Sequence, residues 1–278
     1  MRTIRTLFLI AVTIIVIDLS VIVSRWVSMP HLTKGPVPES RFIRSYRKNR
    51  ARHKWPRLRW QPVALGTIPH ALRLAVILGE DGTFYQNNGF DASAILWAAR
   101  YDWRAQRIVF GGSTITQQTA KNLFLSPSRS FFRKANEVLL TVALTHLLTK
   151  NRILEIYLDD AQFGQGIYGV EAASQYYFGK PVSAINTEEA VELAASLPDP
   201  VGSNPAKRSW YFRARTAKIL RLLQSTQRPQ APVPGNSSGS HLSPDKTPSG
   251  QQAPGQDQKT PPSGATQNPT NGARANKA

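Results

Sequence analysis

The longest apolar run lies near the start, where Leu7 to Val23 reads LFLIAVTIIVIDLSVIV, interrupted only by Thr13, Asp18 and Ser20. With its flanks it reaches the ~20 residues a membrane-spanning helix needs, and no small-x-small cleavage pattern follows it. The expected element is therefore an uncleaved anchor over residues 1–27, with Trp26 at the interface. Asp18 would cost about 2.5–3.5 kcal/mol at mid-bilayer. From residue 61 the apolar positions recur at helical spacing. ALRLAVILGE follows Ile68-Pro69-His70 and ends at Glu80-Asp81-Gly82, and SAILWAAR has Asp91 placed as its N-cap. The stretch from Ser130 to Leu148 has Leu and Val on most faces, which predicts a largely buried helix. Further helices are expected over Arg152–Ala161, in EAASQYYFG after the Gly-rich turn FGQGIYG, over Glu188–Leu197 until Pro198 and Pro200 break it, and over the amphipathic Arg213–Leu223. Strand-like alternation is scarce, so the fold class is mainly α.

From about Ser225 the chain becomes Pro, Ser, Gly, Gln, Thr and Asn with few large apolar residues. Such a segment cannot bury enough surface to fold, and residues 225–278 are expected to be disordered. The division by composition is thus 1–27 anchor, 28–60 basic juxtamembrane segment, 61–224 folded domain and 225–278 tail.

Charge sharpens this division. The net charge is +18, but residues 1–60 hold 13 Lys/Arg against 2 acids, whereas residues 61–226 hold 17 against 13. The basic run Arg41, Arg44, Arg47, Lys48, Arg50, Arg52, Lys54, Arg57, Arg59 reads either as a solvated stalk or as a contact for anionic lipid headgroups or wall polymers. Its place beside the apolar run speaks against a nucleic-acid partner. Arg25 and Lys34 follow the apolar run as Arg2 and Arg5 precede it, so the positive-inside rule does not fix the orientation. There is no cysteine, which excludes disulfides, thiol nucleophiles and thiolate metal sites.

The stretch Gly111 to Asn122, GGSTITQQTAKN, carries the densest chemistry. Two glycines permit close backbone approach. Ser113, Thr114, Thr116, Gln117 and Gln118 then crowd hydroxyls and amides ahead of Lys121. This polarity is expected of a loop-to-helix binding cradle or of a hydrophilic surface loop, and not of a core helix or strand. Leu123–Leu125 with Phe131 and Phe132 form an apolar patch ringed by cations, which suits either core packing or insertion toward lipid. Glu80 and Glu137 each stand beside an apolar helical run, and the residues alone leave open whether they are structural ions or functional acids. Arg133 and Lys134 lie within one helical turn of Glu137.

GGSTITQQ-x-x-KN resembles the second motif of the family 51 peptidoglycan glycosyltransferases. The first motif of that family is similar to Glu80-Asp81-Gly82-Thr83-Phe84-Tyr85-Gln86-Asn87-Asn88-Gly89-Phe90-Asp91, the third to Arg133-Lys134-Ala135-Asn136-Glu137, the fourth to Ile153–Asp159 and the fifth to Arg215–Leu220. All five stand in order. Two positions depart from the pattern: Asn87 replaces a histidine and Asp159 an asparagine.

The resemblance implies a lysozyme-like, two-lobed helical domain of the monofunctional type, at the cell inner membrane with the domain outside. It implies polymerisation of lipid II into β-1,4-linked glycan strands, with inversion and release of undecaprenyl diphosphate. Glu80 would be the general base and Glu137 would act near the leaving diphosphate, directly or through a divalent ion, Mg2+ or Mn2+. Lys121, Arg129, Arg133 and Lys134 would supply positive charge, and Asp81, Phe84, Ser113, Thr114, Gln117 and Gln118 would hold substrate. Lipid II, the growing strand, membrane lipids and cell-wall synthesis or division proteins are the implied partners. A non-catalytic lipid II or glycan binder on the same fold is the alternative that Asn87 and Asp159 motivate. A hydrolase using the same cleft is a further one.

Overall fold

Leu72, Ala75 and Val76 fall on one face of α3 (His70–Glu80), and that face is fully buried. In the computed structural model α3 packs on α8 (Thr187–Ser196) and α9 (Trp210–Gln227). The described residues are 2–27, 29–93, 96, 112–127 and 131–227, all within one compact unit, residues 1–229. The remaining elements are α1 (Arg2–Val27), α2 (Arg41–His53), α4 (Ile115–Phe124), α5 (Phe131–Leu147), α6 (Lys150–Asp160) and α7 (Val170–Phe178). A small sheet completes them, with order β1 (Arg59–Trp60), β3 (Ile167–Tyr168), β2 (Gln162–Gly164). The mainly helical expectation is met. FGQGIYG is not simply a turn: it closes the antiparallel pair β2–β3, and β1 joins β3 in parallel. Gly169 ends that hairpin with φ +79, and a Cβ there would stand 2.8 Å from the Asp159 carbonyl, so only glycine fits.

Three sequence expectations change. The run after Gly111 is a core helix. α4 packs on both α5 and α6, with Ile115, Thr116, Gln117, Thr119, Ala120, Asn122 and Leu123 buried. Most of its polar groups are accommodated because the helix and its neighbours supply partners, although Thr116 Oγ1 is buried without one. Thr114 accepts from the Gln117 amide while Gln117 reaches back to the Thr114 N–H, a reciprocal cap. Thr119 donates to the Ile115 carbonyl. Second, the basic segment is not a solvated stalk. Ser40 caps α2, which buries Ile43 and Tyr46 and packs on α4, with the Tyr46 ring stacked on Trp55. Its cations stay outside while two apolar side chains seat it, as amphipathic helices do. Third, α5 is buried on one side only: Leu140, Ala143 and Leu144 are enclosed, whereas Phe132, Val138 and Leu139 are exposed.

The expected first-segment helix forms as α1, 26 residues long; it packs on α5, and its Ile22 is buried. Among the described residues no helix is long and apolar enough to cross a membrane. Several α1 side chains, Asp18 included, fall outside the described set. So do Gly111, Arg129, the Phe131 side chain, most of SAILWAAR and residues 228–278, which hold the tail expected to be disordered. The described chain continues helical to Gln227.

Candidate active site

Glu80 is the last residue of α3, where the chain leaves the core and a carboxylate can face outward from an apolar helix. Two elements meet on it, and a third braces one of those contacts. From α9, the Arg215 guanidinium donates to Glu80 Oε1 at 2.5 Å and to the Gly79 carbonyl at 2.8 Å. From α4, Gln118 Nε2 donates to Glu80 Oε2 at 2.9 Å. From α6, the Tyr157 hydroxyl donates to Gln118 Oε1 at 3.3 Å. Gly79 allows this approach, since a Cβ there would lie 3.1 Å from Ile219 of α9. The Glu80 side chain is 10% exposed. Burial raises its pKa, with Arg215, Gln118 and Lys121 pulling the other way.

Lys121 sits one turn beyond Gln118 on the same face of α4. Both line a cavity of about 220 Å³ with Tyr157, Asn122, Asp160 and Phe42. Burial lowers the Lys121 pKa, and the neighbouring Glu137 and Glu80 oppose that shift while Arg133 and Lys134 add to it. Lys121 thus lies in the field of both acids and links them electrostatically. Glu137 is buried on α5, its Oε2 accepting from Arg133 at 2.9 Å and its Oε1 from Lys134. With both oxygens held by cations, Glu137 does not offer the donor set of a divalent ion. Among the described residues no three His, Cys, Asp or Glu side chains gather for one.

Other expected site residues serve the scaffold. Asp81 accepts from the Ile115 N–H at 3.1 Å and from Asn87 Nδ2 at 2.8 Å, tying the end of α3 to the start of α4. Phe84 is fully buried in the core beneath the Lys150 ammonium, out of reach of a ligand. Thr114 donates to the Gly89 carbonyl at 2.7 Å, and with Gln117 it is spent on the α4 cap. Gly89 has φ +86, and a Cβ there would collide with Thr145. Ser113 is half-buried just ahead of the cap. Gln118, Lys121, Arg133 and Lys134 are therefore the expected binding residues that the fold gathers around the two acids. Arg215 and Tyr157 have no role that the sequence alone signals, although Arg215 opens the fifth motif.

The two departures are absorbed structurally. Asn87 bridges Asp81, the Gly89 N–H and Lys150 Nζ. Asp159 is buried and accepts from the Val63 N–H at 3.1 and 3.2 Å. Burial chiefly raises its pKa to about 7, and Asp160 beside it is raised to about 7 in the same way. A carboxyl whose folded pKa is raised weighs nothing below its unfolded pKa and costs stability as pH climbs toward the folded value. Asp159→Asn should therefore melt with the wild type near pH 4 and above it at pH 8, by roughly 2–4 °C for each kcal/mol recovered. Thermal unfolding at both pH values checks this, and an equal difference at both would remove the titration as its cause.

The sequence profile of the transglycosylase family matches residues 49–224. A biosynthetic peptidoglycan transglycosylase of Burkholderia thailandensis is 42% identical over 178 residues, 64% of this chain and 67% of that protein. One of Burkholderia cenocepacia is 42% identical over 180 residues, 65% and 71% of the two chains, and one of Burkholderia multivorans 42% over 179, or 64% and 70%. With the match beginning inside α2 and ending inside α9, it spans every element that carries Glu80, Gln118, Lys121, Glu137 and Arg215, and the chain belongs to the transglycosylase family.

Proposed function

We propose that Glu80 is the general base of a peptidoglycan glycosyltransferase that joins lipid II units into glycan strands for the cell wall. The observation that carries the assignment is the Glu80 carboxylate itself: buried, raised in pKa, fixed by Arg215 and Gln118, and one side chain from the cavity that Lys121 lines. A base is most effective with its pKa near the working pH. Glu80 takes the proton from the 4-hydroxyl of the acceptor sugar. That oxygen attacks C1 of the donor with inversion, and the C1–oxygen bond to undecaprenyl diphosphate breaks. The leaving group carries the negative charge away, and Lys121, Arg133 and Lys134 stabilise that charge. In this reading Glu137 holds Arg133 and Lys134 in place, and no step runs through a metal ion.

The membrane-bound part of this reading is supported by surface character. Ile4, Leu9, Ile10, Val16 and Val23 are exposed along α1, and Phe132, Val138 and Leu139 are exposed on α5. We place α1 in the inner membrane with the domain outside, α5 against the lipid, and the domain in the two-lobed lysozyme-like arrangement of the family. We extend that domain to include α2, on the packing of α2 against α4. Polymerisation of labelled lipid II by the detergent-purified protein tests the function. Glycan chains are the expected product. Binding of lipid II without chains would favour the non-catalytic reading.

A further inference from the structure

A second concavity lies away from the two acids. A cavity of about 290 Å³ is bounded by Arg57, Arg59, Gln165, Tyr176, Lys207 and the segment around Val201, close to the ~300 Å³ at which ligand pockets begin. Two further cavities flank the same Arg57–Arg59 segment, one reaching Arg47 and Arg50 and the other Trp60 and Gln175. None of the residues bounding the three is acidic. Among the described residues Arg50, Arg57, Arg59 and Lys207 form no salt bridge, while Arg47 meets Glu39 at 3.1 Å. Tyr176 is half exposed, and the Arg59 guanidinium lies 5.2 Å from its ring centroid, which holds the ring in place. Three positions of this groove are therefore cationic and exposed, beside a fixed aromatic face and the Gln165 amide.

The groove adjoins the candidate active site through shared elements. The cavity beside Lys121 is lined by Tyr168 and Pro200, and the groove by their chain neighbours Ile167 and Val201. Both thus flank the β2–β3 hairpin and the turn after α8. The groove is carried by β1, β3 and α7, which pack on one another, whereas α1 packs on α5. A concave site with an aromatic platform also suits a saccharide better than a flat layer of headgroups.

We propose that this groove binds the peptide-bearing glycan strand, a sugar ring packing against the exposed part of Tyr176 that Arg59 leaves open and the carboxylates of its peptides meeting Arg57, Arg59 and Lys207. This rests on the glycan-polymerising function proposed above and adds to it a hold on the polymer outside the site of coupling. Charge-assisted pairing to guanidinium groups gives such a contact its strength, and it would weaken with salt.

The test is co-sedimentation of the full chain in detergent with purified peptide-bearing glycan, with the same glycan stripped of its peptides, and with phosphatidylglycerol vesicles. Wild type is expected to bind the peptide-bearing glycan most tightly. Arg57→Glu with Arg59→Glu should lose about tenfold or more in affinity, equivalent to ~1.4 kcal/mol, and Tyr176→Ala should weaken binding to both glycans. Thermal unfolding identifies a variant that has lost its fold, in which case Lys207→Glu alone carries the comparison. Unchanged binding after charge reversal overturns the proposal. So does equal binding of stripped glycan, or a loss on reversal seen with the vesicles only. Because binding needs no turnover, lipid II polymerisation by the wild type separates failure of this inference from failure of the assigned activity.

Discussion

Glu80→Gln should abolish glycan polymerisation, with a loss in kcat of at least about 10³-fold, while the protein stays folded. General base catalysis is worth about 10²–10⁴-fold, and here the same side chain also positions the acceptor oxygen. Glutamine keeps the length and one acceptor oxygen, so the Arg215 contact can persist, while the Gln118 contact is kept by a flip of the Gln118 amide, whose oxygen then accepts from the new NH2. What it removes is the proton acceptor. Glu80→Asp is the informative companion. It keeps a base but withdraws it by one methylene, and a displacement of ~1 Å can cost about 10²-fold, so intermediate activity is expected. The pH profile gives a third readout. Burial raises the Glu80 pKa, and the base must be ionised to work. Wild-type turnover should therefore fall as pH drops through a value above the usual glutamate range. Labelled lipid II measures all three. Near-normal chains from Glu80→Gln would remove Glu80 as the base, even with the family membership intact.

Much of the scaffold was legible because helical period survives in sequence. ALRLAVILGE places Leu72, Ala75 and Val76 on one face, and that face is buried. The acids were legible for a related reason: Glu80 and Glu137 interrupt apolar runs. Sequence and structure part where polarity suggests exposure. α4 is polar and buried because most of its side chains, Thr116 excepted, find partners within one turn of chain or across a helix pair, and hydrophobic periodicity carries no information about satisfied polar groups. α2 was read as a stalk because its Arg and Lys outweigh its two buried apolar anchors, Ile43 and Tyr46. β1 is two residues long and pairs with a strand more than a hundred residues away, which no local pattern announces. The opposite error occurred in α5. Leu and Val on most faces suggest burial, yet Val138 and Leu139 are exposed. Arg215 could have been found by its position opening the fifth motif, but only the fold brings it 135 residues back to Glu80.

Lys121→Ala should lower kcat/KM by about 10²-fold, near the ~2.7 kcal/mol that one preorganised charge donor contributes to a developing anion. The geometry decides how that loss divides. Lys121 is half-buried in the cavity, in the field of Glu80 and Glu137 together. A cation so placed meets the diphosphate both while it is bound and as its charge grows on leaving. If the ground-state contact dominates, KM for lipid II rises and kcat holds. If the developing charge dominates, kcat falls with little change in KM. The second outcome is expected, because burial has already lowered the Lys121 pKa and the ammonium gains most when a full negative charge appears beside it. Lys121→Arg would keep the charge but bring a larger planar donor into a cavity of about 220 Å³, so partial recovery above the alanine variant is predicted. Steady-state kinetics on lipid II, with direct binding measured on the Glu80→Gln background, separates these terms. Unchanged kcat and unchanged binding in Lys121→Ala would break the assignment of Lys121 to the leaving diphosphate and leave the charge there to Arg133 and Lys134.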